Sequence, residues 1–149
     1  MNVDAVVSPY AVRPPEVLGD VGKIPLPDGC AVELMAIHVL EHVYRWQVPA
    51  VLAEWHRLLA PGGRLVLEMP DLVKCCKNVL AGREDQQTMW GLYGDPRTGD
   101  PFMVHRWGWT FQTLAPLLQE VGFRKLAERP TQWHVAGRKH RDFRVEGIK

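Results

Sequence analysis

The spacing of apolar residues changes several times along the chain, and each change marks an element. A short apolar piece, VLGD (17–20), gives way to GKIPLPDG (22–29), where Pro25, Pro27 and Gly29 punctuate the backbone. AVELMAI (31–37) is apolar on both parities except at Glu33, the pattern of a strand covered on both faces. It runs into HVLEH (38–42). Across 48–60, Val48, Val51, Leu52, Trp55, Leu58 and Leu59 recur at three- and four-residue steps, which predicts a helix with Pro49 in its first turn. Pro61-Gly62-Gly63 ends it, and LVLEM (65–69) follows as a second buried strand closed by Pro70-Asp71.

A short helix is expected over 72–80. Periodicity then fails from about Ala81 to Thr110, a long connection that carries Trp90, Tyr93, Phe102, Trp107 and Trp109. A helix resumes over 111–121, with Leu114, Leu117, Leu118 and Val121 on one stripe, Thr110 as N-cap and Gly122 just past its end. Pro116 should kink it or shorten its first turn. Strand-like pieces follow around 123–127, 133–136 and 143–148, and Gly137 to His140 could reverse the chain between the last two. Helix, glycine stop and strand form half of a parallel crossover, and the final pieces add an antiparallel edge. The expected fold is an open, mostly parallel α/β sheet with flanking helices.

A length of 149 residues bounds this to one domain over 1–149. With 46% apolar and 23% charged residues, disorder, collagen and coiled coil are excluded. No apolar run reaches the roughly 18 residues of a membrane span, and MNVDAVVSP lacks the basic start of a signal peptide. Cys30, Cys75 and Cys76 cannot all pair within the chain, so a cytoplasmic location and no membrane partner are expected. Charge is uneven. Residues 1–123 hold 10 Lys/Arg against 14 Asp/Glu, while 124–149 hold 8 against 3. Nucleic acid is one reading of the basic tail. Its alternation with Val, Phe and Ile reads instead as the solvated face of a sheet.

GDVGKIPLPDG, AVELMAIHVLEHV, VLAEWHRLLAPGGRLVLEMPDL, HRWGWT, LLQEVGF and RDFRVEGIK, in this order and spacing, resemble the latter two thirds of a class I S-adenosylmethionine-dependent methyltransferase, of the type 11 kind. HVLEHV with the helix and LLAPGGRLVLEMPD that follow is the most specific segment. The resemblance implies an incomplete Rossmann-like sheet and a cofactor, S-adenosylmethionine, that donates a methyl group to a small-molecule or macromolecular acceptor. It implies roles for a few residues. Asp4 resembles the acidic residue at the end of the family's second strand, which accepts the ribose hydroxyls. Asp20 resembles the acidic residue after the third strand, which receives the adenine amino group beside the amide of Val21. Ala36, Ile37 and His38 resemble the end of the fourth strand, which passes the methionine part and faces the acceptor. Carboxylates suit such donors, and strand ends ring the ligand crevice in these sheets.

The family's glycine-rich turn, G-x-G-x-G, is not matched: the 13 glycines are scattered and no G-x-G occurs. Relative to the family, the chain starts where the second strand is ending, which leaves out the central strand. A domain truncated at its N-terminus, or a remodelled sheet, is implied, with weakened or lost cofactor binding. An open edge follows, and with it a homodimer or a partner chain that completes the sheet. A non-catalytic binding or assembly module that keeps only the scaffold is the alternative function.

Three further sites compete with plainer readings. HVLEH fits H-x-x-E-H, in which two His one helical turn apart hold zinc and the Glu acts as base. His38 closes a strand-like run, so the motif straddles a strand-to-helix turn and no metal ligands are assigned. The vicinal Cys75 and Cys76 point in different directions on a helix, one buried and one exposed. His105, Arg106 and Trp107 could line an acceptor pocket, with His105 as the candidate base, or simply pack a loop.

Overall fold

In the computed structural model, residues 1–5, 13–95, 97, 99–133 and 140–149 are described. The chain opens with two short parallel strands, β1 (Val3–Asp4) and β2 (Val17–Leu18), paired Val3 with Val17 and Asp4 with Leu18. β3 (Ala31–Ile37), the helix α1 (Val48–Leu58) and β4 (Leu59–Pro70) form a helical crossover, with β3 and β4 parallel from Ala31–Leu59 to Ile37–Glu68. Next come α2 (Leu72–Leu80), α3 (Gln86–Tyr93), α4 (Phe111–Val121), β5 (Arg124–Arg129) and β6 (Asp142–Ile148). The main sheet has the order β3-β4-β6-β5, with β6 antiparallel to both its neighbours. β3, β4 and β5 therefore point one way. The mostly parallel α/β sheet with flanking helices is borne out, with the antiparallel strand inserted one place in from the edge.

The helices form where their apolar stripes can be buried. α1 buries Val48, Val51, Leu52, Trp55 and Leu58 against the same core as Leu114, Leu117 and Leu118 of α4, and each such side chain contributes about 1.5–3 kcal/mol. Leu65 and Leu67 of β4 with Phe143 and Val145 of β6 supply the sheet side of that core. α4 starts at a reciprocal cap: the Thr110 side chain accepts from the Thr113 amide while the Thr113 hydroxyl accepts from the Thr110 amide. It ends at Gly122, whose φ of 113° suits only glycine, and it runs on through Pro116.

Four expectations change. AVELMAI is not covered on both faces: β3 is an edge of the four-stranded sheet, so Val32 is 80% exposed and Met35 40%. The unpatterned stretch 81–110 contains α3, which the Asp85 carboxylate caps by accepting from the Thr88 amide. Pro116 does not shorten its helix. Among the described residues, the C-terminal basic side chains form a solvated face on β5 but not on β6. In β6, Arg144 is buried, because the strand lies between β4 and β5, and it donates to Glu146 and Gln132. The expected strand near 133–136 and the turn at 137–140 lie largely outside the described residues.

Among the described residues, no backbone pairing joins β1 or β2 to β3. A cavity of about 200 Å³ lies there instead, lined by Val3, Val21, Leu34, Ala36, Val39 and Trp55 among others.

Candidate functional site

β3 ends at Ile37, opposite Glu68 of β4, and β4 ends at Pro70, opposite Asp142 of β6. Register alone therefore brings the residue after β3 and the first residue of β6 to one end of the sheet, where ligands bind in sheets of this kind. His38 takes a left-handed backbone, φ 53°, which costs an L-residue about 1–2 kcal/mol. Its amide donates to the Glu68 carbonyl at 2.8 Å. The chain then turns through a short 3-10 segment, Leu40–His42, so H-x-x-E-H does straddle a strand end and a tight turn.

His38 is held between two buried carboxylates. Nδ1 lies 2.8 Å from Glu41 Oε1 and Nε2 3.2 Å from Asp142 Oδ2. Burial opposes its charge, but hydrogen bonds to Asp142 and Glu41 outweigh burial and raise its pKa to about 9. Both ring nitrogens therefore donate at neutral pH. Burial likewise pushes the carboxyl groups of Glu41 and Asp142 upward, and the contacts with His38 override it, so both sit below their usual range. Arg141 secures Asp142 from the other side, its Nε donating to Oδ1 at 2.7 Å, and its Nη1 reaches the Gln87 carbonyl on α3. Gly91 makes room for this arginine. A Cβ there would meet Arg141 Cδ at 2.5 Å and Cys75 Sγ at 2.7 Å.

The segment after α3 straps the 3-10 turn. The amides of Arg106 and Trp107 donate to the Glu41 carbonyl, and Arg106 Nη1 donates to the His42 carbonyl at 2.8 Å. This places His105 beside Glu41, with Nε2 3.9 Å from Oε1. Burial is the main reason the His105 pKa falls to about 4, Glu41 offsetting it only in part. Glu41, His42 and His105 each offer one donor atom, and these lie within 4.8 Å of one another.

The residues expected to meet the cofactor fall in two places. Val21 and Ala36 line the cavity, and Asp4 and Asp20 each adjoin a lining residue, Val3 and Val21. Asp20 Oδ1 already accepts from the Gly22 amide at 2.8 Å, which shapes its own turn. Ile37 and His38 lie outside the lining, although Ala36 and Val39 on either side belong to it. The fit to S-adenosylmethionine is partial. The cavity is lined mostly by apolar side chains, but Asp4 and Asp20 are exposed and outside that lining, and its volume is below the roughly 300 Å³ at which small-molecule pockets begin. Sequence reasoning missed Asp142 and Arg141, which no local pattern connects to His38. Glu41 and His42 were visible as a motif without a role. The cysteine pair is as expected, Cys75 buried and Cys76 exposed.

Residues 3–67 match a family described as a methyltransferase domain. No curated protein matches the sequence. Among solved structures, the chain is similar to a SAM-dependent methyltransferase from Archaeoglobus fulgidus, with TM-score 0.60 and 15% identity over 89% of this chain and 66% of that one. It is similar also to a SAM-dependent methyltransferase from Thermotoga maritima, with TM-score 0.56 and 16% identity over 89% and 63%. Human N-acetylserotonin methyltransferase, solved in complex with SAM, gives TM-score 0.56 and 16% identity over 89% and 32%. At such identities the likeness to solved structures is one of fold. The chain spans about two thirds of the first of these proteins and less of the others. The resemblance to class I S-adenosylmethionine-dependent methyltransferases, read from the sequence, is borne out by the matched segment and by the Rossmann-like fold.

Proposed function

We propose that this chain is a methyltransferase-like domain whose crevice takes S-adenosylmethionine or its demethylated product, and that this chain alone binds them weakly. One observation carries the reading. The matched segment runs from β1 into β4, and within it Val21, Ala36 and Val39 line one cavity, with Asp4 and Asp20 each next in sequence to a lining residue.

 The cofactor, when bound, supplies the methyl group, and this chain's own residues bind and orient it. Asp4 accepts from ribose hydroxyls, and the free oxygen of Asp20 accepts from the adenine amino group beside the Val21 amide. Ala36, Ile37 and His38 border the methionine part. His105 stands on the acceptor side.

Weak binding follows from the shortage of enclosing surface between β1 and β3, where the cavity is small and no pairing among the described residues joins the flanking strands. Calorimetry or ligand-detected NMR with S-adenosylhomocysteine tests the reading. Binding weaker than roughly 100 μM is expected, lost in Asp20→Ala. Low-micromolar affinity would overturn the weak-binding claim. No contact at millimolar ligand would overturn the cofactor assignment.

A second reading, a non-catalytic assembly module, is favoured by the exposed edge of β3. In either case a strand from a second copy or another chain, laid between β1 and β3, would complete the sheet.

A further inference from the structure

Away from the cavity, Glu41, His42 and His105 form a group of metal-ligating side chains among the described residues. They come from two segments that are far apart in sequence. Glu41 and His42 sit in the 3-10 turn after β3, and His105 is delivered by the strap whose next two amides bond the Glu41 carbonyl. Their donor atoms already lie within 4.8 Å of one another.

Three features distinguish the group from a chance meeting of polar residues. First, the two imidazoles are fixed in the same tautomer. His42 Nδ1 lies 3.2 Å from the Val104 carbonyl, and His105 Nδ1 lies 3.1 Å from the Gly91 carbonyl. A carbonyl only accepts, so each Nδ1 carries the hydrogen and each Nε2 presents a lone pair. A ring N–H given to a backbone carbonyl is the outer-shell arrangement that orients metal-binding histidines.

Second, Glu41 is only 2% exposed, and its Oε2 is buried with no hydrogen-bond partner. Oε1 is engaged by His38. An unpartnered carboxylate oxygen in the interior is costly, and a cation is the partner that removes the cost. Third, His42 is partly exposed, which leaves an entry path for an ion.

We infer that Glu41, His42 and His105 form a binding site for a divalent first-row transition metal, with zinc as the reference ion. Two imidazole nitrogens and one carboxylate favour such an ion over calcium or magnesium, which prefer oxygen alone. Metal–ligand bonds of about 2.0–2.2 Å place tetrahedral donors roughly 3.4 Å apart, so the cluster tightens by roughly 1 Å on loading. Three protein ligands leave a coordination position for water or an oxygen of a bound ligand. The site stands independently of cofactor binding, and its test uses no S-adenosylmethionine.

Purified full-length chain is stripped with chelator and titrated with zinc, then with cobalt as a coloured probe. One ion per chain is expected, with cobalt absorption bands intensified over those of the aqueous ion. His42→Ala and His105→Ala each weaken binding by more than the roughly 10-fold that loss of an outer-shell partner costs. The double variant abolishes it, and His140→Ala, which alters an exposed histidine outside the cluster, leaves it unchanged. Because a variant could lose its fold, the wild-type chain is also followed by imidazole 15N NMR. Zinc should move the Nε2 resonances of His42 and His105 and leave their Nδ1 hydrogens in place. No stoichiometric uptake, uptake unchanged in a folded double variant, or shifts confined to other histidines would overturn the site.

Discussion

His38 shows how the surroundings of one residue can offset a concentrated local cost. It holds a left-handed backbone and a buried positive charge, and both persist because Glu41, Asp142 and the Glu68 carbonyl fix it from three directions. The cysteines show the opposite case, in which environment removes reactivity. Burial pushes the Cys75 thiol up to about 12, while Cys30 and Cys76 are exposed. Because the thiolate is the reactive species, a disulfide reagent at neutral pH should modify two cysteines promptly and the third only after denaturant is added. Prompt modification of all three would show that Cys75 is not enclosed as described. The sequence made the buried-and-exposed contrast legible, because adjacent residues on a helix diverge by about 100°. It could not indicate that Arg141 and Gly91 close over Cys75, since those contacts depend on how α2, α3 and β6 meet.

Among the elements, the helices were legible wherever the local pattern was complete. α1 and α4 announce themselves by apolar spacing, and α4 also by Thr110 and Gly122 at its ends. The reciprocal Thr110–Thr113 bonds make a clear test of that reading. Thr110→Ala should destabilise the fold by about 1 kcal/mol in urea denaturation, with an unchanged slope. An unaffected midpoint would mean that packing alone fixes the start of α4. α3 was missed for a physical reason. Among the described positions it buries only Thr88 and Gly91, so no apolar stripe marks it, and its cap at Asp85 is the one local signal. β6 was found as a strand but misread at its surface. Its charged side chains look solvated in the sequence, yet insertion between β4 and β5 buries Arg144 and supplies Glu146 and Gln132 as partners.

At the scale of the molecule, the dominant feature is the space between β1 and β3, which no strand pairing bridges among the described residues. Unpaired strand edges invite pairing with another chain, and here Val32 and Met35 add exposed apolar surface on β3. Light scattering at tens of micromolar should therefore give a mass above the 16.9 kDa of one chain, returned to one chain by Val32→Lys. A strict monomer whose β3 amides are nonetheless protected from hydrogen exchange would show that the edge is closed within the chain. By itself the sequence determined the helix stripes, their caps, the buried strand of β4, the crossover order and the family resemblance. These are written in patterns that repeat within a few residues, and the segment that carries the resemblance is contiguous. Only the tertiary structure decided that His38 bridges Glu41 and Asp142, that His105 meets Glu41 and His42, and that Arg144 is buried. His42 and the Val104 carbonyl it bonds are 62 residues apart, and such meetings depend on strand order and register. Side-chain chemistry is local to the sequence, but the electrostatic environment that sets its charge belongs to the packed sheet end.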